Sequence, residues 1–359
     1  MAPTLGRSPR RARSGFCLTS HTMRAVVCRE LGPPSTLRVE ECAPPEVRPG
    51  GLLVDVEAAG VNYVDALFIQ GQYQIKPALP FTPGSEIAGT VAAVGEGVTG
   101  WQVGDRVLAM CGLGGFAEQV WIPAVSASAV PAELDAPRAA TFTQSYCTAL
   151  FALRDRAGLR AGETVLVLGA GGGVGLAVID VARTLGARTI GAASTPPKRD
   201  AARAMGADAV IDTTAEDLKD RARALARELA EVAGTISGAK ATGVDVVVDP
   251  VGGNLAEAAL RSLGEGGRYV VIGFAAGAIP ALPANQILLR NRTVVGVDWG
   301  AWAMAHGEEQ HALLASLLGM VAAGELDPVA PVTYPLERAG DALDDLLERR
   351  VVGKVALVR

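Results

Sequence analysis

Short apolar runs separated by glycine and proline mark the first third of the chain: Leu52–Val56, Ile87–Val94, Arg106–Met110 and Ala117–Ile122. Runs of that length at that spacing predict the strands of a compact, mostly β domain over residues 23–146. From Glu163 to Trp299 the pattern becomes strand alternating with helix. Strands are predicted at Val165–Leu168, Thr189–Ala193, Ala209–Ile211, Asp245–Val248, Tyr269–Ile272 and Thr293–Val297, with helices such as Gly175–Leu185 and Lys198–Met205 between them. This alternation implies an α/β domain over residues 147–299, a doubly wound parallel sheet with helices on both faces. Residues 214–243, with Glu216, Lys219, Arg221 and Arg223, predict a solvated helix followed by a loop. Helices over Glu308–Ala323 and Leu336–Arg349 and a final strand over Lys354–Val358 complete the pattern. Residues 300–359 are expected to return to the first domain.

Composition narrows the function classes. The 359 residues are 49% hydrophobic and 20% charged, enough apolar material for two cores. A net charge of −5 argues against a nucleic-acid partner, which would call for a basic stripe. The uncharged stretch from Tyr269 to Leu289 is broken by Gly273, Gly277, Pro280 and Pro283, so no membrane span is expected. The cysteines Cys17, Cys28, Cys42, Cys111 and Cys147 are odd in number, widely spaced and without a C-x-x-C pair. That excludes a disulfide scaffold and a structural zinc lobe, and fits a reducing, cytoplasmic compartment. His21, His306 and His311 form no metal motif. Residues 1–22, with Arg7, Arg10, Arg11, Arg13 and no acid, are expected to be a disordered extension, either a transit peptide or an overlong gene start ahead of Met23.

The central motif runs from Val165 to Gly175, where a buried strand enters a glycine turn and then a helix. Ala170, Gly172 and Gly175 hold the spacing A-x-G-x-x-G, with Gly173 and Val174 opening the helix. Glycines let a backbone approach a diphosphate closely, and a helix N-terminus supplies free N–H donors and a positive dipole end. A lone glycine turn is weak evidence, but here a strand precedes it and five more strands follow. No Lys-Ser or Lys-Thr follows the glycines, which excludes a P-loop.

The residue that reads the adenosine ribose lies about 20 positions beyond such a turn. This chain reads Ala193-Ser194-Thr195-Pro196-Pro197-Lys198-Arg199 there, with no acid before Asp200. Ser194, Lys198 and Arg199 are therefore candidates for a ribose phosphate, and the cofactor expected is NADPH. One or two charge-assisted hydrogen bonds of about 1.5–3 kcal/mol each would favour it over NADH by a factor on the order of 10–1000.

At this point the chain resembles the zinc-independent NADPH:quinone oxidoreductases of the medium-chain dehydrogenase/reductase superfamily. The likeness covers nearly all of residues 23–359. It rests on Ala59-Gly60-Val61-Asn62-Tyr63-Val64-Asp65, Pro83-Gly84-Ser85-Glu86, Val103-Gly104-Asp105-Arg106-Val107, the glycine turn, Asp249-Pro250-Val251-Gly252-Gly253, Val271-Ile272-Gly273-Phe274 and Gly353-Lys354-Val355. The resemblance implies a GroES-like catalytic domain (23–146 and 300–359) beside a Rossmann domain (147–299), with the site in the cleft between them. It also implies a homodimer, for which the Thr293–Val297 strand is a candidate surface.

Zinc-dependent relatives place a cysteine where Asn62 stands and a histidine where Ser85 stands. Asn and Ser are poor zinc ligands, so no metal is expected. Without a Lewis acid the substrates are those that accept hydride readily, quinones and α,β-unsaturated carbonyl compounds. The resemblance assigns Thr148 to the nicotinamide, with the backbone of Gly252, Gly273 and Phe274 lining the cofactor. Asn62 is the candidate orienting donor and Tyr73 the candidate donor or proton source, with water as the alternative; Asp65 and Glu86 are expected to be structural. The chain departs from the family pattern at Asp180, where a Gln is common, at Gly171, where Ser or Ala is usual, and over 231–241, which reads as an insertion. An enoyl-CoA or acrylate-type reductase and a non-catalytic NADPH-binding protein remain open alternatives.

Overall fold

The computed structural model describes residues 22–234 and 242–359. The N-terminal extension and most of the insertion expected at 231–241 lie outside the described residues. β1 (Met23–Val27) and β2 (Arg38–Cys42) form a small antiparallel sheet. There follow β3 (Gly51–Val61), α1 (Tyr63–Ile69), β4 (Glu86–Val94), β5 (Arg106–Met110), β6 (Gln119–Pro123) and β7 (Ala127–Ala129). α2 (Ala136–Ala139) and α3 (Thr143–Leu150) lead into β8 (Thr164–Leu168), α4 (Gly173–Thr184), β9 (Arg188–Ala193), α5 (Pro196–Ala204) and β10 (Ala209–Asp212). Next come α6 (Leu218–Val232), β11 (Val244–Asp249), α7 (Leu255–Ser262), β12 (Leu263–Val271), α8 (Ala284–Leu288) and β13 (Thr293–Gly296). α9 (Trp299–Ala305), α10 (Gly307–Ala322), β14 (Val332–Pro335), α11 (Ala339–Leu347) and β15 (Val355–Val358) close the chain.

The second sheet has the order β10-β9-β8-β11-β12-β13, all parallel. The order reverses between β8 and β11, and the crevice outside their C-terminal ends is where such sheets hold a dinucleotide. All five residues of β8 are buried because helices cover both faces. Each large aliphatic residue buried this way contributes about 1.5–3 kcal/mol. One face carries α3, α4 and α10; the other carries α6 and α7. The helix expected within 214–243 is more than a solvated one. Its Leu218, Ala222, Leu225, Ala226 and Ala230 face the sheet while its charges face out.

The first domain's main sheet runs β14-β15-β3-β4-β5-β7, with β6 also paired to β3. β14 and β15 come from the end of the chain, while α10 packs on the α/β side, in one core with α3 and α4. β15 pairs antiparallel with β3 in a register that sets Val355 opposite Val61. The residue before β15, Lys354, is thereby brought to the residue after β3, Asn62. An additional parallel bridge joins Gly353 to Gly172, and the Gly353 amide donates to the Gly171 carbonyl at 2.8 Å. The closing segment thus touches both domains at the mouth of the crevice.

Candidate active site

The glycine turn is built for close approach. Gly169 turns at φ 60°, and a Cβ on Gly175 would meet the Gly169 carbonyl oxygen at 2.3 Å, which is how tightly α4 seats on the turn. Ala170 is fully buried, beneath Gly191 of β9, so its part is packing. The amides of Gly173, Val174 and Gly175 open α4 and have no intrahelical acceptor, the arrangement that suits a diphosphate. Opposite lies the loop after β11. Asp249, buried, accepts from the amides of Val251 and Gly252 at 2.7 and 2.8 Å and from the Tyr269 hydroxyl. It sets Gly252 at φ 67°, against the ring of Phe274. The Ala275 and Ala276 amides donate to the Pro250 and Val251 carbonyls, so the Gly252 and Gly273–Phe274 segments form one wall.

At the adenosine end, Ser194 is exposed at the end of β9. The stem of Lys198 lies on the glycine turn, where a Cβ on Gly171 would meet its Cβ at 2.4 Å. That contact accounts for the glycine at a position where Ser or Ala is usual. The Lys198 ammonium donates to the Arg349 carbonyl at 2.7 Å, and burial and the Arg349 charge hold its pKa below the usual lysine value. Arg199 is engaged elsewhere, in an ion pair with Asp212 at 2.9 Å and a bond to the Ala193 carbonyl. Arg349, not singled out from sequence, is a second cation whose charge acts on Lys198, with its guanidinium donating to the Ala275 carbonyl at 2.7 Å.

On the other side of the crevice Asn62 is buried and its amide is held at both ends. Its nitrogen donates to Glu86 Oε2 at 3.2 Å and its oxygen accepts from the Lys354 ammonium. Glu86 also accepts from the Gln144 amide at 3.0 Å, and the Gln144 carbonyl accepts from the Thr148 hydroxyl at 2.6 Å. Asp65 accepts from the Asn62 backbone amide at 2.8 Å. Burial pushes the Asp65 carboxyl up to about 7 and raises Glu86, against the pull of Lys354 in both cases. Burial likewise lowers the Lys354 ammonium, offset by Glu86 and Asp65. The Lys354 stem runs across the first turn of α4, where a Cβ on Gly173 would meet its Cδ at 2.2 Å.

The structure therefore brings Asn62, Thr148 and the glycine turn together through Glu86, Gln144 and Lys354. It does not join Tyr73 to them by any hydrogen bond; that ring packs edge-on against Phe68 at 4.8 Å. Lys354 is the residue that sequence reasoning passed over. It stood inside a quoted motif, but only the β15–β3 register reveals its partner. The residues fit a dinucleotide: a cradle that side chains would fill, free amides at a helix start, and cations at the adenosine end.

Comparison with known proteins adds to this geometry. The family model described as alcohol dehydrogenase GroES-like domain matches residues 48–132, and that described as zinc-binding dehydrogenase matches residues 173–316. The chain is 38% identical over 361 residues to quinone oxidoreductase-like protein 2 of Bos taurus, covering 99% of each. It is 32% identical to the quinone oxidoreductase of Sus scrofa, covering 94% of this chain and 98% of that one. The crystal structure of Escherichia coli quinone oxidoreductase complexed with NADPH superposes with a TM-score of 0.79 at 28% identity, over 94% of this chain and 100% of that one.

Proposed function

Because the chain belongs to the quinone oxidoreductase family of the medium-chain dehydrogenases/reductases, we propose that it transfers a hydride from NADPH to a quinone or an α,β-unsaturated carbonyl compound without a metal ion. The observation that carries this reading is the doubly held Asn62 amide facing a glycine turn flanked by Lys198 and Arg349.

Bound NADPH supplies the hydride. The amides of Gly173, Val174 and Gly175 hold the diphosphate, while Ser194, Lys198 and Arg349 hold the adenosine phosphate. Thr148 and the backbone of Gly252, Gly273 and Phe274 line the nicotinamide end. As negative charge develops on the acceptor oxygen, a preorganised donor stabilises it. Asn62 is that donor. A side-chain amide carries two N–H bonds, and Glu86 takes one, which leaves the other for the acceptor. Lys354 on the oxygen and Glu86 on the nitrogen fix which way the amide points, so both are positioning residues. The proton comes from the Tyr73 hydroxyl or from water, since the Tyr73 ring packs on Phe68 outside the hydrogen-bonded set around Asn62.

The test is oxidation of NADPH, followed by absorbance, with a quinone, an enone and a crotonyl thioester. Turnover is expected with the first two. Tight NADPH binding with no acceptor reduced would make the protein a non-catalytic binder, and no heat of NADPH binding would sink the whole reading. The same reading makes the protein a cytoplasmic homodimer joined along β13, an edge strand whose Thr293 and Val294 are exposed. A monomer mass by light scattering would exclude the dimer. No helix among the described residues is long and apolar enough to cross a membrane.

A further inference from the structure

The outer surface of α6, α7 and the segment around α8 carries a second concentration of positive charge. A groove of about 540 Å³ is lined by Lys219, Arg223, Arg261, Arg290 and Arg292, with Glu265 the one carboxylate on its wall. It shares no residue with the dinucleotide crevice. Two of the cations have local partners: Lys219 pairs with Asp220 at 2.9 Å and Arg261 with Glu257 at 3.5 Å. Among the described residues, Arg223, Arg290 and Arg292 have no carboxylate within 4.0 Å, the limit for an ion pair.

Arg292 is 6% exposed. It donates to the carbonyls of Gln286, Arg261 and Leu263, and Arg223 also donates to the Arg261 carbonyl. The Arg261 and Leu263 carbonyls lie at the C-terminal end of α7, the negative end of its dipole, while Gln286 belongs to α8. They explain why guanidinium groups gather there, but they leave the charge of Arg292 unneutralised and the buried Nε atoms of Arg223 and Arg292 without an acceptor. Burial and the neighbouring Arg223, Arg290 and Arg261 push Arg292 down to about 10, which means the groups repel one another. A buried charge is normally paired, and a buried N–H normally bonded. An oxyanion with several acceptor atoms would satisfy both requirements at once.

We propose that this groove binds a compact anion of the phosphate or phosphate-ester class carrying at least two negative charges, at a site separate from the cofactor crevice. The test titrates inorganic pyrophosphate into the full chain by calorimetry, with a single equivalent of NADPH present to fill the crevice without excess to compete for the groove, and repeats the titration with Arg290→Gln. The Arg290 side chain makes no hydrogen bond or ion pair among the described residues, so its loss leaves the fold intact. Saturable pyrophosphate binding is expected, weakened about tenfold or more in Arg290→Gln, the loss of one charge-assisted bond. Because the readout is a difference between two proteins, it holds even if NADPH does not bind. Lys219→Gln serves as a second variant with the same expected direction. Parallel titrations with inorganic phosphate and adenosine diphosphate identify the source: tighter binding of the nucleotide assigns the groove to a phosphate ester, tighter binding of pyrophosphate to a free phosphate. Absence of saturable binding overturns the proposal, and so does an affinity unchanged in both variants.

Discussion

The Lys354 ammonium donates to the side-chain oxygen of Asn62, joining the end of the chain to a residue 292 positions earlier. This bond sits between the glycine turn and two fully buried carboxylates, Asp65 and Glu86. Lys354→Met keeps the stem and removes the charge. It leaves the Asn62 oxygen and both carboxylates without their cation, so stability is expected to fall by about 1–3 kcal/mol in urea unfolding. If the amide also loses its orientation, kcat falls while KM for NADPH changes less. A kcat equal to that of the parent would mean that Lys354 holds structure only.

The buried carboxylates set a pH dependence with a definite sign. Asp65 rises from its ordinary value of 3.8 to about 7 in the folded chain, chiefly through burial. Between those values the folded protein holds a proton that the unfolded chain has released, so Asp65 makes stability fall as pH rises through that window. Asp65→Asn removes this dependence while keeping an oxygen for the Asn62 amide. The stability of the variant relative to the parent is therefore expected to improve between about pH 4 and pH 7. Urea midpoints of both proteins across that range decide it, and parallel curves would remove Asp65 as the source.

Asp180 explains one departure from the family pattern. It is buried in α4 and accepts from the Tyr146 hydroxyl at 2.9 Å, from Arg183 at 2.9 Å and from the Asp327 amide at 3.1 Å. It therefore ties α3, α4 and the chain leading to β14. Tyr146→Phe leaves the carboxylate one donor short and is expected to cost about 1–3 kcal/mol without changing KM for NADPH. Calorimetric unfolding together with steady-state kinetics separates the two effects.

Local pattern made most of this architecture legible. The six parallel strands appear within a few residues of where apolar runs placed them, except that β12 begins at Leu263, well before Tyr269: the glycines of Leu263–Gly267 hide its start, where Leu263 pairs with Val244 before the register shifts and pairing with β11 and β13 continues from Arg268. β2, with its sequence Arg-Val-Glu-Glu-Cys, also escaped notice, since three charges in five residues mask a short two-stranded ribbon. The glycine turn was readable because its strand, turn and helix are contiguous. Lys354 and Arg349 were not, because each acquires its role from a partner far away in sequence. Arg199 shows the converse: its position beside Lys198 suggested a shared anion, while the fold engages it with Asp212.

The glycines of the turn are expected to differ in what they tolerate. A Cβ on Gly175 would meet backbone, the Gly169 oxygen at 2.3 Å and the Ala170 Cα at 2.9 Å, and neither can move without opening the turn. A Cβ on Gly173 would collide with the Lys354 side chain, at Cδ and Cγ, and would lie in ordinary contact with the Gly353 carbonyl oxygen at 3.6 Å. Gly175→Ala should therefore lower both the melting temperature and NADPH affinity. Gly173→Ala should act through a displaced Lys354, lowering the melting temperature less than Gly175→Ala does and by no more than Lys354→Met. Similar losses of stability in the two variants would contradict this distinction.

Cofactor choice tests the adenosine end. Among the described residues Lys198 reaches no carboxylate; its ammonium rests on the Arg349 carbonyl, and its pKa is held down by burial and the Arg349 charge. A phosphate placed there would relieve that repulsion, whereas the hydroxyl of NADH would not. Lys198→Ala is expected to raise KM for NADPH about tenfold or more, the loss of one charge-assisted bond, and to leave KM for NADH nearly unchanged. Arg199→Ala breaks the ion pair with Asp212 instead, so its effect should appear mainly as lost stability, shared equally by both cofactors. If Arg199→Ala discriminated between NADPH and NADH while Lys198→Ala did not, the two cations would have to exchange roles. Arg199 would then need to leave Asp212 when the cofactor binds.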